Sequence, residues 1–396
     1  MTDRRIRILI VDDSLVFRKI LLDVLQDMTE VEVVGQAPNG RIALQKIPQL
    51  NPDLLLLDVE MPEMGGLELL EEMKARGLGT GVIMMSGSSP ATGSKTMEAL
   101  TAGAFEFFPK PERETIEETR SELEPVLRMA VQAFQERTAI RRVLAGQREP
   151  RAPTPAAPSP RPPSEPVGPP PPPKNPWLPS TRADLVIIGI STGGPPALLE
   201  TFSRLSQPLG VPVLVVQHIP PQFSEALATR IREKSGVWVE EARHGQTLEA
   251  GKTYLAPGGF HMRLSRPPGR PGYVVHLTED PPENGCRPSV DYLLRSVTQN
   301  FPGRVALVIM TGMGIDGLAG ARLIRAAGGY VIAQNAETCT VYGMSRAVIE
   351  AGLANEVLSL EEIPAAMERL TGGIGPVRSP SGRFWAIPPA GGEKSG

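Results

Sequence analysis

Half of the residues from Pro150 to Pro179 are proline, including the unbroken run Pro169 to Pro173, and almost nothing apolar remains between them. No packed element tolerates that density, because each proline removes an amide donor and fixes φ. Such a stretch favours extended polyproline II and spans at most ~90 Å at roughly 3.1 Å per residue. It reads as a linker, so a chain of 396 residues must fold as separate units on either side of it. A second ragged stretch, rich in glycine, proline and serine, runs from about Gly372 to the C-terminus.

Composition narrows the class. With 41% apolar and 21% charged residues the chain is ordinary globular material, neither disordered nor collagenous nor coiled-coil. A formal net charge of −3 supplies no field for a polyanion, so nucleic acid is not expected as a main partner. Cys286 and Cys339 are the only cysteines; two thiols make neither a disulfide framework nor a four-thiolate metal site, and a reducing compartment fits. The apolar run Ile8 to Val11 ends at Asp12 and is too short for a signal segment. No apolar stretch approaches the ~18 residues of a membrane span. A soluble, cytoplasmic protein with no membrane insertion is the expectation.

On both sides of the linker, short β-type runs alternate with helical-period segments, the pattern of parallel sheets covered by helices on both faces. Strands are predicted at 6–11, 32–37, 54–58, 81–86 and 106–108, which suits a doubly wound, five-stranded, flavodoxin-like α/β domain. After the linker they are predicted at 185–190, 212–217, 252–256, 273–277, 306–310 and 330–333, a second doubly wound parallel sheet.

Open parallel sheets bind ligands beyond the carboxyl ends of their strands. In the first domain Asp12 and Asp13 end one strand, Asp58 and Ser86 end two others, and Lys110 follows the last. Three converging carboxylates repel one another unless a hard cation joins them, and an oxygen-rich site suits Mg²⁺. An aspartate there can take a phosphoryl group as an acyl phosphate, with the lysine neutralising charge on its oxygens. The simpler reading makes Asp12 and Asp13 caps of the following helix, which leaves Asp58, Ser86 and Lys110 unexplained.

The segments RILIVDDS, PDLLLLDVEMPEMGGLELL, MMSGSS and GAFEFFPKP resemble response-regulator receiver domains. The resemblance implies Asp58 as phosphoacceptor, with metal ligands from Asp13, Asp58, the Glu60 backbone carbonyl and, through a water, Asp12. Ser86 becomes the switch hydroxyl and Lys110 the phosphate-contacting lysine. Receivers often carry a cis peptide before the proline matching Pro111. Gly65 stands where many have aspartate, and Phe107, at the aromatic switch position, is read here as core.

In the second domain the strand 185–190 runs into Ser191-Thr192-Gly193-Gly194-Pro195 at a helix start, where free amides can hold an anion or oxyanion. Of four histidines, only His218 directly follows a predicted strand, so it emerges at the same sheet edge as Ser191. His244 is placed in a loop, His276 within a strand and His261 after a turn. Imidazole can take the serine proton near neutral pH and return it to a leaving group. The strand 306–310 leads into Thr311 to Gly317, which supplies Asp316 to orient the imidazole. Two rivals attach to the same residues. Ser191 could be a helix N-cap, and Gly312-x-Gly314-x-x-Gly317 with Glu337 matches a dinucleotide fingerprint. Gly189 to Gly193 also matches G-x-S-x-G, but the order serine, histidine, aspartate is not that of α/β-hydrolases.

GISTGGPPAL, VVQHIPPQFSEALATRI, YLAPGGFHM, RPSVDYLL and TGMGIDGLAGARLI resemble the chemotaxis protein-glutamate methylesterases. That resemblance implies Ser191 as nucleophile, His218 as general base and acid, Asp316 as orienting acid, and Thr192 with the Met313 amide as transition-state support. It implies hydrolysis of glutamate methyl esters on methyl-accepting chemotaxis proteins, with methanol released, and glutamine deamidation by the same machinery. The two resemblances together imply Mg²⁺ for the receiver, no cofactor for the esterase, and a histidine kinase as phosphodonor. Ser345 replaces a proline common in the family. The implied layout is a receiver at 4–125, a linker at 126–182, a catalytic domain at 183–372 and a tail at 373–396. Set against this, a non-enzymatic phosphorylation-dependent adaptor would keep the receiver and lack ester turnover.

Overall fold

The computed structural model describes residues 4–87, 90–111, 113–147, 182–267, 269 and 272–372. The proline-rich stretch 150–179 and the tail from 373 lie outside the described residues.

The first domain strings β1 (Ile6–Val11), α1 (Leu15–Gln26), β2 (Val31–Ala37), α2 (Gly40–Leu50), β3 (Leu54–Asp58), α3 (Gly66–Ala75), β4 (Gly81–Ser86), α4 (Pro90–Ala102), β5 (Glu106–Pro109) and α5 (Ile116–Gln147). Its parallel sheet has the order β2-β1-β3-β4-β5. The leucines of β3 are buried throughout, as a central strand covered on both faces requires. α1 and α5 cover one face, where Ile8 and Ile10 meet Phe17, Leu21 and Leu127. α2, α3 and α4 cover the other, over Leu9 and Val11. α1 begins at Ser14, whose hydroxyl accepts from the Phe17 amide at 3.2 Å, so neither Asp12 nor Asp13 is the cap. α5 continues past residue 125, where the linker is expected to begin, and stays helical to Gln147.

The second domain follows with β6 (Leu185–Ile190), α6 (Gly194–Ser203), β7 (Val213–Gln217), α7 (Pro221–Ser235), β8 (Trp238–Glu241), β9 (Lys252–Leu255), β10 (His261–Ser265), β11 (Val274–Thr278), α8 (Val290–Asn300), β12 (Val305–Ile309), α9 (Leu318–Ala326), β13 (Tyr330–Gln334), α10 (Met344–Glu350), β14 (Glu356–Leu358) and α11 (Ile363–Thr371). Seven parallel strands run in the order β14-β13-β12-β6-β7-β9-β8, and β10 with β11 forms a separate antiparallel pair. β8, β10 and β14 are absent from the sequence-based expectation, as is the antiparallel pair. Alternate residues of β6 serve opposite cores: Val186, Ile188 and Ile190 pack with α6, α7 and α11, whereas Leu185 and Ile187 pack with α8, α9 and α10. The order reverses at β6, because β7 lies on one side of it and β12 on the other, and such a switch point opens a crevice at the strand ends.

The two domains meet. α4 packs against α6 and α7, and the Phe107 ring stands edge-on to Phe223 of α7 with centroids 4.5 Å apart. Phe107 is thus core, as expected, but core shared between domains. No described helix is long and apolar enough to cross a membrane. Among the described residues the one cis peptide is Arg287–Pro288, and the bond before Pro111 is not cis.

Candidate active site

Ser191, His218 and Asp316 follow β6, β7 and β12, three neighbouring strands of one parallel sheet, so residues far apart in sequence converge at one edge. His218 Nδ1 lies 3.1 Å from Ser191 Oγ, and Nε2 lies 2.8 Å from an Asp316 carboxylate oxygen. The His218 side chain is 12% exposed and that of Asp316 2%. Ser191 is not the helix cap: α6 starts after Gly193, and no side chain caps it. Gln217 ties the two loops together, its amide donating to the carbonyls of Ser191 at 3.0 Å and His218 at 2.9 Å.

Asp316 is held from several sides. It accepts from the Ser289 hydroxyl at 2.9 Å, the Val290 amide at 2.7 Å and the Asp291 amide at 3.1 Å. These donors belong to the cap and first turn of α8, a place where a carboxylate also meets the positive end of the helix dipole. The helix reaches it because β6 carries Gly189, where an added Cβ would lie 2.8 Å from Val290 Cγ1. Burial opposes ionisation of Asp316, but the bond from His218 and the amides of Val290 and Asp291 hold its carboxyl well below the usual range. For His218 burial works against the charge, yet Asp316 and the neighbouring Cys286 carry the imidazole up to about 10. Protonated, the ring has no lone pair for Ser191.

Thr192 follows the serine, and its carbonyl accepts from the Thr311 hydroxyl at 2.9 Å. The loop from Gly312 to Gly314 lies against the serine, since a Cβ on Gly312 would come within 2.6 Å of Ser191 Cβ. Met313 is the next residue of that loop. The dinucleotide reading fails here, because Asp316 occupies the turn as a carboxylate already bonded to His218 and α8. Ser345 lies in the first turn of α10 with its hydroxyl 3.2 Å from the Ile309 carbonyl, so the helix forms without the proline.

Besides Ser289, sequence reasoning missed two residues earlier on the segment joining β11 to α8. Asn284 donates to Asp316 at 2.9 Å, and the Cys286 thiol lies 3.4 Å from His218 Nδ1. The Asn-Gly dipeptide at 284–285 was the available signal, a mark of a tight turn. Of the other histidines, His261 is buried against Tyr292 and accepts the Ser289 amide at 3.3 Å, and His244 packs on His276.

In the first domain Asp12, Asp13 and Asp58 bring carboxylate oxygens within 4.8 Å of one another. Lys110 Nζ lies 2.7 Å from Asp12 and 2.6 Å from Asp58. The Glu60 amide donates to Asp58 at 3.4 Å. Ser86 is buried and its hydroxyl has no hydrogen-bond partner among the described residues. Burial, with a smaller push from Asp12, takes Asp58 up to about 6 against the pull of Lys110. Three hard oxygen donors and one unpartnered hydroxyl fit a divalent cation and an incoming oxyanion.

Between the sites lies Glu106 of β5. Burial pushes its carboxyl up to about 7 against bonds from the Phe107 amide, the Thr192 hydroxyl and the Gly193 amide. The first domain thus sets a carboxyl against the turn that carries Ser191.

A family profile described as CheB methylesterase matches residues 186–367, and one described as response regulator receiver domain matches 8–120. The chain is 41% identical over 360 residues to a protein-glutamate methylesterase/protein-glutamine glutaminase of Desulfotalea psychrophila, covering 91% of this chain and 97% of that protein. It is also 41% identical over 371 residues to a protein of the same name from a Nocardioides species, covering 92% and 95%. Among solved structures, the Thermotoga maritima CheB methylesterase catalytic domain is 38% identical, with 48% of this chain and all of that one covered and a TM-score of 0.46.

Proposed function

The chain belongs to the family of protein-glutamate methylesterase/protein-glutamine glutaminases, and from that membership we propose that it demethylates glutamate methyl esters on methyl-accepting chemotaxis receptors under phosphorylation control. Glutamine deamidation follows from the same chemistry, with ammonia leaving in place of methanol. The observation that supports this reading is the relay from Ser191 through His218 to Asp316, at 3.1 Å and 2.8 Å.

Neutral His218 keeps its proton on Nε2, where Asp316 accepts it, and presents the Nδ1 lone pair to Ser191. As Ser191 Oγ attacks the ester carbonyl, its proton passes to Nδ1, and the imidazolium is stabilised by Asp316. The oxyanion meets Thr192 and the Met313 amide. Collapse returns the Nδ1 proton to the methoxy oxygen, and methanol leaves an acyl-serine. A water deprotonated at the same nitrogen then hydrolyses it to free glutamate.

Asp58 is the phosphoacceptor in this reading and a histidine kinase the donor. Asp13, Asp58, the Glu60 carbonyl and, through a water, Asp12 would hold Mg²⁺, which when bound neutralises charge on the transferring phosphoryl oxygens. Lys110 adds a fixed positive charge, and the Ser86 hydroxyl is free to receive a phosphoryl oxygen. The unphosphorylated receiver covers the esterase cleft through α4 and β5. Phosphorylation weakens that contact. The division proposed is a receiver at 4–125, a connecting segment at 126–182 whose first part is helical, a catalytic domain at 183–372 and a tail at 373–396, in a cytoplasmic protein.

Methanol release from methylated receptor, followed with and without a small phosphodonor, tests both claims. Wild type should release methanol and be stimulated by the donor, and Ser191→Ala should fall by about 10⁶-fold. Equal release by the two proteins would refute the esterase assignment, and no stimulation would refute the switch.

A further inference from the structure

Residues Glu283 to Cys286 form a two-residue hairpin turn, in which Glu283 and Cys286 exchange backbone hydrogen bonds of 3.1 and 2.9 Å. Asn284 and Gly285 both have positive φ, at 54° and 75°, as a type I′ turn requires. Arg295 of α8 grips Glu283 through two bonds of 2.7 and 2.6 Å, which fixes the turn on the helix whose first residues hold Asp316.

The turn delivers one side-chain amide between two buried carboxylates. Asn284 Nδ2 donates to Asp316 Oδ1 at 2.9 Å and to Asp291 Oδ2 at 3.0 Å. Asp291 is 4% exposed and the whole of Asp316 2%. The other Asp291 oxygen accepts the Gly320 amide of α9 at 2.6 Å, so this second acid is anchored in the core and takes no part in the proposed reaction. Burial, and then the negative charge of Asp316, raises its carboxyl. Two like charges this close need donors between them. A primary amide nitrogen carries two hydrogens and serves both.

We propose that Asn284 is a positioning residue for the esterase reaction, its amide bridging Asp291 to Asp316 and so fixing the carboxylate that orients His218. This rests on the ester-hydrolysis reading for its activity readout. The competing explanation is that Asn-Gly merely forms the turn, and the two separate cleanly. Asn284→Gly keeps the left-handed backbone and removes only the amide. Asn284→Asp also tolerates that backbone and places a third carboxylate at the bridge.

In the full chain, Asn284→Gly should lower kcat by about 10- to 100-fold, the range for lost hydrogen bonds to a charged group. KM should stay within about twofold, because uniform binding is untouched. Asn284→Asp should fall further. Adding Asp291→Asn to Asn284→Gly should recover part of the loss, since one of the two repelling charges is gone. Wild-type kcat in Asn284→Gly, or a loss that Asp291→Asn does not relieve, overturns the proposal. The downfield NMR resonance of the His218 Nε2 proton supplies a readout independent of turnover. It shifts in Asn284→Gly if the amide sets Asp316, and its staying in place overturns the proposal. A wild type that releases no more methanol than Ser191→Ala, combined with a shifted resonance, would refute ester hydrolysis and leave the bridge standing.

Discussion

The two sites lie at the carboxyl edges of two parallel sheets and treat negative charge in opposite ways. In the receiver three carboxylates gather with Lys110 paired to Asp12 and Asp58, Ser86 points a hydroxyl that has no partner among the described residues, and burial drives Asp58 upward. In the catalytic domain Asp316 is wrapped by the donors of α8, Asn284 and His218, and its carboxyl is driven downward. One pocket leaves its charge unmatched, as the proposed gain and loss of a cation and a phosphoryl group would require. The other is matched in advance, which suits a site where a fixed anion must meet an imidazolium without rearranging.

Removing the matched charge should have the largest effect. Asp316→Asn is expected to cut kcat by about 10⁴-fold, the scale seen when an orienting carboxylate is lost. A pH series adds a sign. Because the folded imidazole is raised to about 10, the pair supports the fold fully below about pH 6.5, the unfolded value, and the support fades as pH climbs through the raised one. The stability gap between wild type and Asp316→Asn, measured by denaturant titration, should therefore be widest in mild acid and narrow in alkali. Only the neutral ring takes a proton, so the rising limb of kcat/KM should move to lower pH in the variant. A limb that stays in place would mean Asp316 does not set the imidazole.

How far these differences were legible in the sequence depends on whether a residue's role follows from its place along one strand. Ser191, His218, Asp12, Asp58 and Ser86 each end or directly follow a buried apolar run, and the strand-end rule reaches them. Asp316 sits in a glycine-rich loop after another. Asn284, Ser289 and Val290 reach Asp316, and Cys286 reaches His218, from a turn and a helix start that lie outside the strand ends, and α8 comes this near because it packs across Gly189. The missed strands β8 and β14 lie at the two edges of the seven-stranded sheet and have just four and three residues, too few for a period to register. The contact between Phe107 and Phe223 could not be read at all, since it joins two domains whose sequences carry no sign of each other.

Two glycines test whether close approach is what the geometry requires. At Gly312 an alanine Cβ would lie 2.4 Å from Met344 Sδ and 2.6 Å from Ser191 Cβ. Met344 can turn aside, but the Cβ of Ser191, the proposed nucleophile, cannot, so Gly312→Ala should displace Ser191 and cost about 10²-fold in kcat, the scale of an ångström's misplacement. At Gly93 of α4 a Cβ would meet the Gln222 carbonyl at 3.1 Å and Phe223 at 3.7 Å, on the contact between domains and away from the triad. Gly93→Leu should wedge the receiver off at a cost to the closed form of about 1–2 kcal/mol. Release of methanol without phosphodonor should then rise roughly 5- to 30-fold. An unchanged basal rate would show that this face does not restrain the esterase.

The smallest effect probes the unmatched pocket. Glu60 is assigned to the metal through its carbonyl, while its side chain turns outward to Lys95 at 2.8 Å, with both side chains more than half exposed. Exposed pairs of this kind contribute about 0–1 kcal/mol, so Glu60→Gln should shift stability by no more than that. Mg²⁺-dependent phosphorylation of Asp58 by a small phosphodonor should change by less than about twofold, because the carbonyl survives the substitution. Asp13→Asn, which removes a charged donor from the same pocket, should weaken Mg²⁺ dependence far more. Comparable losses in the two variants would mean that the Glu60 carboxylate itself helps to hold the cation. The pocket's charge would then be more nearly matched to the metal by side chains alone, and the contrast with Asp316 would lie in the timing of compensation.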